Sequence, residues 1–198
     1  MRLSVGWSLR SVGFTLPILA SVLVLSSCAT LSKEQCVMGN WQAIGYNDGV
    51  AGYSSERLAS HTKACAKANV SPDYLAWERG RQQGLKQYCT PSNAYAVGRK
   101  GQQLNSVCPS AMLPELRRSY TQGYNYYKLN SQLQEDQQQL QRYLTEYDKL
   151  REGEQLDFKT EKEARNRLLS LQPKIRSLRR DINSMEAQLD SLNRQLKY

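Results

Sequence analysis

Residues 77–109 dominate the fold prediction for this chain, and they read WERGRQQGLKQYCTPSNAYAVGRKGQQLNSVCP. In this stretch an aromatic residue stands three positions before a glycine, and a second glycine follows within about one helical turn. A cysteine then closes the unit, and the whole pattern occurs twice. A helical glycine costs about 1 kcal/mol relative to alanine, so repeated helical glycines predict that another helix or a ring packs onto the bare backbone. A ligand groove opened by the glycines is the alternative interpretation.

The same pattern extends, in weaker form, on both sides of this stretch. Each unit combines a large ring with glycines on nearby turns: Trp41, Gly45 and Gly49; Trp77, Gly80 and Gly84; Tyr95, Gly98 and Gly101; Tyr120 and Gly123. The candidate functional or packing residues from this repeat are Trp41, Gly49, Gly80, Gly84, Gly98 and Gly101. The repeat therefore predicts a small module of closely packed helices.

The sequence predicts four short helices before residue 113, at about 33–50, 55–68, 71–88 and 93–105. Ser71 and Pro72 are typical of a helix start, with serine as N-cap and proline at the first helical position. The segment from Thr90 to Asn93 is expected to break the chain between the third and fourth helices, and a longer fifth helix is expected to begin near Pro114.

Beyond residue 127 glycine and cysteine give way to glutamine, leucine and charge, which predicts a different kind of structure. Apolar residues in the last segment recur at alternating steps of three and four, the a/d pattern of a coiled coil: Leu168, Leu171, Ile175, Leu178, Ile182, Met185, Leu189, Leu192 and Leu196. With a turn at Gly153, this predicts an antiparallel helical hairpin. Homo-oligomerisation through residues 160–198 is the alternative, and Pro173 predicts a kink or a restart of the last helix.

Four cysteines of the module, Cys36, Cys65, Cys89 and Cys108, indicate a disulfide framework in an exported protein. Three pairings are possible, and we expect Cys36–Cys65 and Cys89–Cys108, each closing one helix-loop-helix unit. A zinc site that uses these thiols with His61 is the alternative. The cysteines lack the C-x2-C spacing of common zinc modules, so we expect neither a metal nor a cofactor.

Residues 1–27 have the features of a signal peptide, with Arg2 and Arg10 ahead of an apolar segment from Val12 to Leu25. This segment is shorter than the roughly 20 residues that a membrane-spanning helix needs. The sequence Leu25-Ser26-Ser27-Cys28 resembles a bacterial lipoprotein box, which implies cleavage before Cys28 and lipidation of it, palmitate included. Ala29 follows, which by the sorting convention predicts the periplasmic face of the outer membrane. An ordinary signal peptide or an uncleaved anchor is the alternative.

The chain carries a formal net charge of +9, and residues 28–127 hold 11 basic and 6 acidic side chains. In the envelope, the anionic partners for such a basic module are lipid head groups, murein carboxylates and acidic proteins, whereas nucleic acid is not expected. The domain organisation predicted from composition is a signal peptide at 1–27, a Cys/Gly-rich helical module at 28–127 and a coiled-coil hairpin at 128–198. The fold class is therefore all-α.

No catalytic constellation is recognisable, and we predict that the protein is not an enzyme. His61 is the single histidine, and no phosphate-binding loop or hydrolase motif is present. Asp48 and His61 are expected to cap or bridge helices within the module. The alternative is a carboxylate pair for glycoside chemistry that uses Asp48 with Glu56, Asp73 or Glu78.

An ordered series of motifs over residues 28–127 resembles a family of small bacterial lipoproteins classed only as a domain of unknown function. The motifs are Cys36, Trp41, Gly45, Asp48-Gly49, His61 and Cys65; then Gly80, Gly84 and Tyr88-Cys89-Thr90-Pro91; then Gly98, Gly101 and Val107-Cys108-Pro109. The resemblance implies a lipidated, disulfide-bonded helical envelope protein and no activity. The function predicted is a structural or adaptor protein of the outer membrane, and a murein-binding or anionic-glycan-binding module is the alternative.

Overall fold

The computed structural model describes residues 30–154 and 157–195, and every regular element within them is a helix. The helices are α1 Lys33–Met38, α2 Trp41–Val50, α3 Arg57–Cys65, α4 Tyr74–Tyr88, α5 Pro91–Arg99, α6 Leu113–Arg151 and α7 Glu161–Gln195. Short 3-10 turns follow α3 at Ala66–Ala68 and precede α6 at Ser110–Met112. The all-α prediction is confirmed. The predicted signal peptide and Cys28 lie outside the described residues.

The helix predicted at 33–50 is in fact two helices, because one residue between them adopts the left-handed backbone conformation. Gly39 adopts the left-handed conformation, with φ of 63°, and its N–H donates to the carbonyl of Gln35, which ends α1. Asn40 then caps α2 by accepting a hydrogen bond from the N–H of Ala43. A glycine followed by asparagine was the signal for this break.

The predicted starts of α4 and α5 were wrong by a few residues, in each case because of which side chain caps the first turn. Asp73, and not Ser71, is the N-cap of α4, since its carboxylate accepts from the N–H of Ala76. Thr90 caps α5 and Pro91 occupies its first turn, so these residues start a helix where a break was predicted. The helix ends at Arg99, and Gly101 follows with φ of 69°.

Helices α2 and α4 run parallel and touch backbone to backbone. A Cβ added to Gly45 would collide with the carbonyl of Trp77, whereas one added to Gly49 would lie 2.8 Å from the N of Leu85 and 2.9 Å from the Cα of Gly84. The contacts advance in the same direction along both helices, which defines the parallel orientation. The prediction that another helix packs onto the glycines is confirmed for this pair.

Helices α5 and α6 repeat this arrangement with one glycine each. A Cβ on Gly98 would lie 2.8 Å from the N of Tyr124, and one on Gly123 would lie 2.8 Å from the N of Arg99. Gly101 lies beyond the end of α5, and not inside a helix as the repeat had suggested. The ring of Tyr127 fills the space beside it, just as the ring of Tyr88 fills the space beside Gly52 at the end of α2.

Two disulfides connect the module, and both have the pairing expected from the sequence. Cys36 of α1 bonds to Cys65 at the end of α3, and Cys89 after α4 bonds to Cys108 in the loop before α6. Cys36 and Cys65 are fully buried in a core with Trp41 and Trp77.

The second half of α6 packs against α7 as an antiparallel hairpin, which confirms that prediction. The buried seam consists of Leu133, Leu150, Leu171, Ile175, Ile182, Met185 and Leu189. Gly153 lies in the turn with φ of 92°. Pro173 stands inside a continuous α7, so the helix does not restart there. Residue 127, where composition placed a domain boundary, lies within α6, and the boundary stays a prediction.

Candidate functional site

The buried carboxylate of Asp48 organises the most polar site of the module. Asp48 lies on α2, His61 on α3 and Trp77 on α4, so three helices meet at one side chain. Asp48 Oδ2 accepts hydrogen bonds from His61 Nε2 at 2.7 Å and from Trp77 Nε1 at 2.8 Å. Asp48 is 6% exposed and His61 is 1% exposed. The prediction that Asp48 and His61 bridge helices describes the geometry observed.

A cation completes the charge balance of Asp48. The Nε of Arg57 lies 3.6 Å from Asp48 Oδ1, and the guanidinium stacks over the ring of Tyr53 at 4.2 Å. Arg57 Nε is buried and makes no hydrogen bond within the described residues. Arg57 precedes His61 by four residues, so both side chains lie on one face of α3. That spacing was the signal by which Arg57 could have been predicted from the sequence.

The second ring nitrogen of His61 reaches the chain ahead of α1. His61 Nδ1 lies 2.8 Å from the hydroxyl oxygen of Thr30. In the neutral imidazole, Nε2–H donates to Asp48 and Nδ1 accepts the hydroxyl hydrogen of Thr30. The next residue, Leu31, is buried among Cys36, Trp41 and Cys65. These hydrogen bonds therefore fix the N-terminal end of the module to its centre, and this role of Thr30 could not be predicted from the sequence.

A hydroxyl, an imidazole and a carboxylate in a row also occur in nucleophilic enzymes. Here the imidazole is almost completely covered, and the carboxylate that orients it is held by Trp77 and Arg57 as well. A nucleophile needs a site beside it in which the reacting carbon can lie about 3 Å away. With a buried imidazole the row of hydrogen bonds is better suited to holding the three segments together than to attacking a substrate.

Two of the other acids considered for glycoside chemistry, Glu78 and Asp73, have different partners, whereas Glu56 precedes α3 without capping it. Glu78 is bonded by the guanidinium of Arg81 at 2.7 and 2.8 Å, and these hydrogen bonds lower the pKa of Glu78. Asp73 caps α4. The carboxylates of Asp48 and Glu78 therefore each have a basic partner of their own.

The basic residues near the glycine helices do not all form a free surface. Arg81 is buried, binds Glu78 and donates to the carbonyl oxygen of Tyr53 at 3.3 Å. Arg99 lies over the ring of Tyr126 at 4.1 Å. Tyr120, Tyr124 and Tyr127 stack along one side of α6 with ring centroids 5.8 and 5.9 Å apart. This row of three rings is called the tyrosine ladder below.

The thiols considered for zinc are used in disulfides. In the part of the chain that the structure describes, no three His, Cys, Asp or Glu side chains are grouped so that they could hold a metal ion. Among the same residues, no helix is both long and apolar enough to cross a membrane.

Comparison with known proteins finds a similarity to one family over part of the chain. Residues 40–125 match the family model described as Protein of unknown function (DUF2799). The resemblance to a domain of unknown function is confirmed over that range, which contains α2 to α5, both glycine-packed pairs and Asp48 with its partners Arg57, His61 and Trp77. Together with Thr30, which lies before the matched range, these residues are called the Asp48 cluster below. The match ends within α6, so the hairpin beyond residue 125 lies outside it. The chain matches no curated protein and no solved structure.

Proposed function

We propose that this chain is a non-enzymatic structural or adaptor protein of the bacterial cell envelope, anchored to the outer membrane through a lipidated Cys28. The observation that carries the adaptor role is the continuity of α6. Its first part packs against α5 in the module and its second part against α7. At 1.5 Å per residue, the helix extends roughly 36 Å from residue 127 to its end at Arg151. A rigid module therefore holds a hairpin away from itself.

The surface of the hairpin supports binding to a different protein more than pairing with a second copy. Most of the apolar a/d residues of α7 pack in the cores that it shares with α6 within one chain, namely Leu168, Leu171, Ile175, Ile182, Met185 and Leu189. The coiled-coil seam is therefore already largely occupied. The outward faces carry polar and charged side chains, such as Gln188 and Arg194, which are exposed. A non-obligate interface is about as polar as the rest of a protein surface, so these faces suit such an interface better than a permanent apolar one.

The test is photocrosslinking in living cells, with the reactive residue at position 188 or 194. We expect a discrete adduct with another envelope protein at both positions. The matched control is Gln102, an exposed residue of the loop after α5, where no such adduct is expected. Adducts with a second copy of this chain at 188 and 194 would replace the adaptor role by homo-oligomerisation.

The tyrosine ladder favours a second candidate function, binding of murein or another anionic glycan. Tyr124 and Tyr127 remain more than a third exposed, and Arg117 is exposed about two turns before Tyr124 on the same face of α6. Aromatic rings beside cations suit sugar rings that carry carboxylates. We expect purified full-length protein to bind sacculi at low salt if this function holds, and Tyr124→Ser with Arg117→Ser to weaken the binding. Absence of binding by the unmodified protein at low salt would eliminate this candidate.

A further inference from the structure

The most exposed large apolar side chains are concentrated at one end of the module. Among the described residues these are Met38 (75% exposed), Leu75 (70%), Val37 (64%), Leu169 (60%) and Tyr74 (53%). Four of the five, all except Leu169, belong to the end of α1 or the start of α4. Exposed apolar side chains grouped in this way indicate a surface that contacts something other than water.

The parallel pairing of α2 and α4 brings these two segments to the same end. Gly45, in the first half of α2, meets Trp77, near the start of α4, so both N-termini point in one direction. Met38 precedes the first residue of α2 by three positions, and Leu75 is the second residue of α4. We call Val37, Met38, Tyr74 and Leu75 the apolar end of the module.

The chain from Thr30 onward is held firmly beside this end. Thr30 is bonded to His61, Leu31 is buried, and Ser32 caps α1 by accepting from the N–H of Gln35. The disulfide from Cys36 then ties α1 to α3. Cys28 is only two residues before Thr30, and two residues span at most about 7 Å. A lipid attached at Cys28 would therefore hold the module close to the membrane surface, on a tether two residues long.

We propose that the apolar end rests in the head-group region of the bilayer that anchors Cys28, so that the module lies on the membrane in a defined orientation. This inference rests on the lipid anchor of the proposed function. The short tether argues for lipid as the occupant, because any partner protein at this end would have to share the space with the bilayer. Lys33, Lys63 and Lys67 are exposed on α1, α3 and the turn that contacts them, together with Glu34. Lysines beside apolar residues are typical of surfaces that bind anionic lipid.

The Asp48 cluster acquires a specific role in this arrangement. Through His61 and Asp48 it connects Thr30, two residues after the anchor, to α4, one of the two helices that form the apolar end. Because the tether and the contact surface are joined by buried hydrogen bonds, the orientation of the module is set by the fold and not by a loose linker.

The test uses full-length lipidated protein, purified from membranes and reconstituted in vesicles of phosphatidylethanolamine and phosphatidylglycerol with brominated acyl chains. An environment-sensitive fluorescent amino acid replaces Met38, Leu75 or Leu169 by codon suppression, which leaves the cysteines untouched. Leu169 is the matched control, an equally exposed leucine on α7. We expect bromine-dependent loss of fluorescence at positions 38 and 75 and unchanged fluorescence at position 169.

Incorporation of labelled palmitate, measured on the same preparations, separates this proposal from the anchor on which it rests. Palmitate at Cys28 with no bromine-dependent quenching at positions 38 and 75, or with equal quenching at 169, overturns membrane docking and leaves the anchor intact. A blue shift at 38 and 75 without bromine-dependent quenching also overturns it, because the apolar end would then be covered by protein. Absence of palmitate removes the anchor, and docking with it.

Discussion

Helices pack in two opposite ways in this molecule, and the contrast explains what each region can tolerate. In the α2–α4 pair side chains are missing where the helices cross, so that the backbone of one helix lies against the other. In the α6–α7 hairpin large side chains fill the seam between the helices. Where two backbones touch at glycines, even one added methyl group collides with backbone atoms. In a seam of leucines, the neighbouring side chains can change their positions to accommodate a substitution. We therefore expect the helix contacts of the module to tolerate fewer substitutions than those of the hairpin.

The largest effect is expected for Gly80→Ala. The new Cβ would collide with the carbonyl oxygen of Gln42 and lie 2.8 Å from the N of Tyr46, and backbone atoms cannot move aside as a side chain can. We expect a loss of about 4 kcal/mol in the free energy of unfolding, above the usual 1–3 kcal/mol of overpacking. Urea unfolding, followed by hydrogen exchange in α2, measures it.

Gly153→Ala is the control for this substitution. The turn of the hairpin has no heavy atom within 4 Å of the new Cβ, so only the positive φ of 92° opposes the change, at about 1 kcal/mol. At position 80, inside α4, alanine would by helix propensity alone be more stable than glycine by about 1 kcal/mol. An unchanged or higher stability of Gly80→Ala would therefore contradict the close packing of α2 on α4.

Removal of the Cys36–Cys65 disulfide is expected to have the next largest effect, and to act on the module alone. With a separation of 29 residues, the chain-entropy relation gives roughly 3.5 kcal/mol. The double variant Cys36→Ala, Cys65→Ala should increase hydrogen exchange in α2 and α3 and leave α7 unchanged. Equal acceleration in α7 would show that module and hairpin unfold as one unit, which would weaken the contrast drawn above.

Leu171→Ala tests the side-chain seam of the hairpin. Leu171 is fully buried against Leu150 and Ile175, and such a truncation costs about 3 kcal/mol. Because neighbouring leucines can relax into the cavity, we expect a smaller loss than for Gly80→Ala. The control is Leu169→Ala, two residues away and largely exposed, which should change stability by less than about 0.5 kcal/mol. Thermal unfolding of both variants measures the two losses. A large loss for Leu171→Ala and a small one for Leu169→Ala would support the buried seam, and equal losses would contradict it.

The smallest effect concerns the ion pair that joins the two helices of the hairpin. Arg167 donates two hydrogen bonds to Glu146, at 2.6 and 2.8 Å, and they lower the pKa of Glu146 while raising that of Arg167. Because the pKa of Glu146 is lower in the folded protein, its contribution is present above the unfolded value near 4.3 and is lost as pH falls through the folded value. The pair is partly exposed, so we expect about 0.5 kcal/mol.

The measurement is the pH dependence of hairpin unfolding in the unmodified protein and in Glu146→Gln. The variant should lose less stability than the unmodified protein between neutral pH and about pH 3. Parallel curves for the two proteins would mean that the ion pair contributes nothing, and that the apolar seam alone holds the hairpin.

Several features of the fold could be predicted because they depend on local pattern. The a/d repeat in the last segment identified the seam, and Gly153 identified its turn. The pairing of Cys36 with Cys65 followed from the expectation that each disulfide closes a unit of neighbouring helices. The repeated glycines predicted close packing, which the structure confirms in both helix pairs.

The errors concern places where a cap competes with helix propensity. Gly39 and Asn40 interrupt a segment whose composition favours a helix, because the left-handed glycine and the asparagine cap satisfy the backbone better than continuation would. The sequence around Thr90 and Pro91 predicts a break between two helices, whereas in the structure these residues are the N-cap and the first-turn proline of α5.

By itself, the sequence determined that the chain is helical, where glycine permits close contact, and that a hairpin follows the module. Only the tertiary structure decided that α2 and α4 run parallel, that Thr30, Asp48, His61 and Trp77 meet, and that Met38 and Leu75 share one end. The reason is physical: periodicity and capping are encoded within a few residues, whereas these contacts join residues about 30 positions apart and depend on how the helices cross. The proposed orientation of the module on the membrane is a consequence of those crossings.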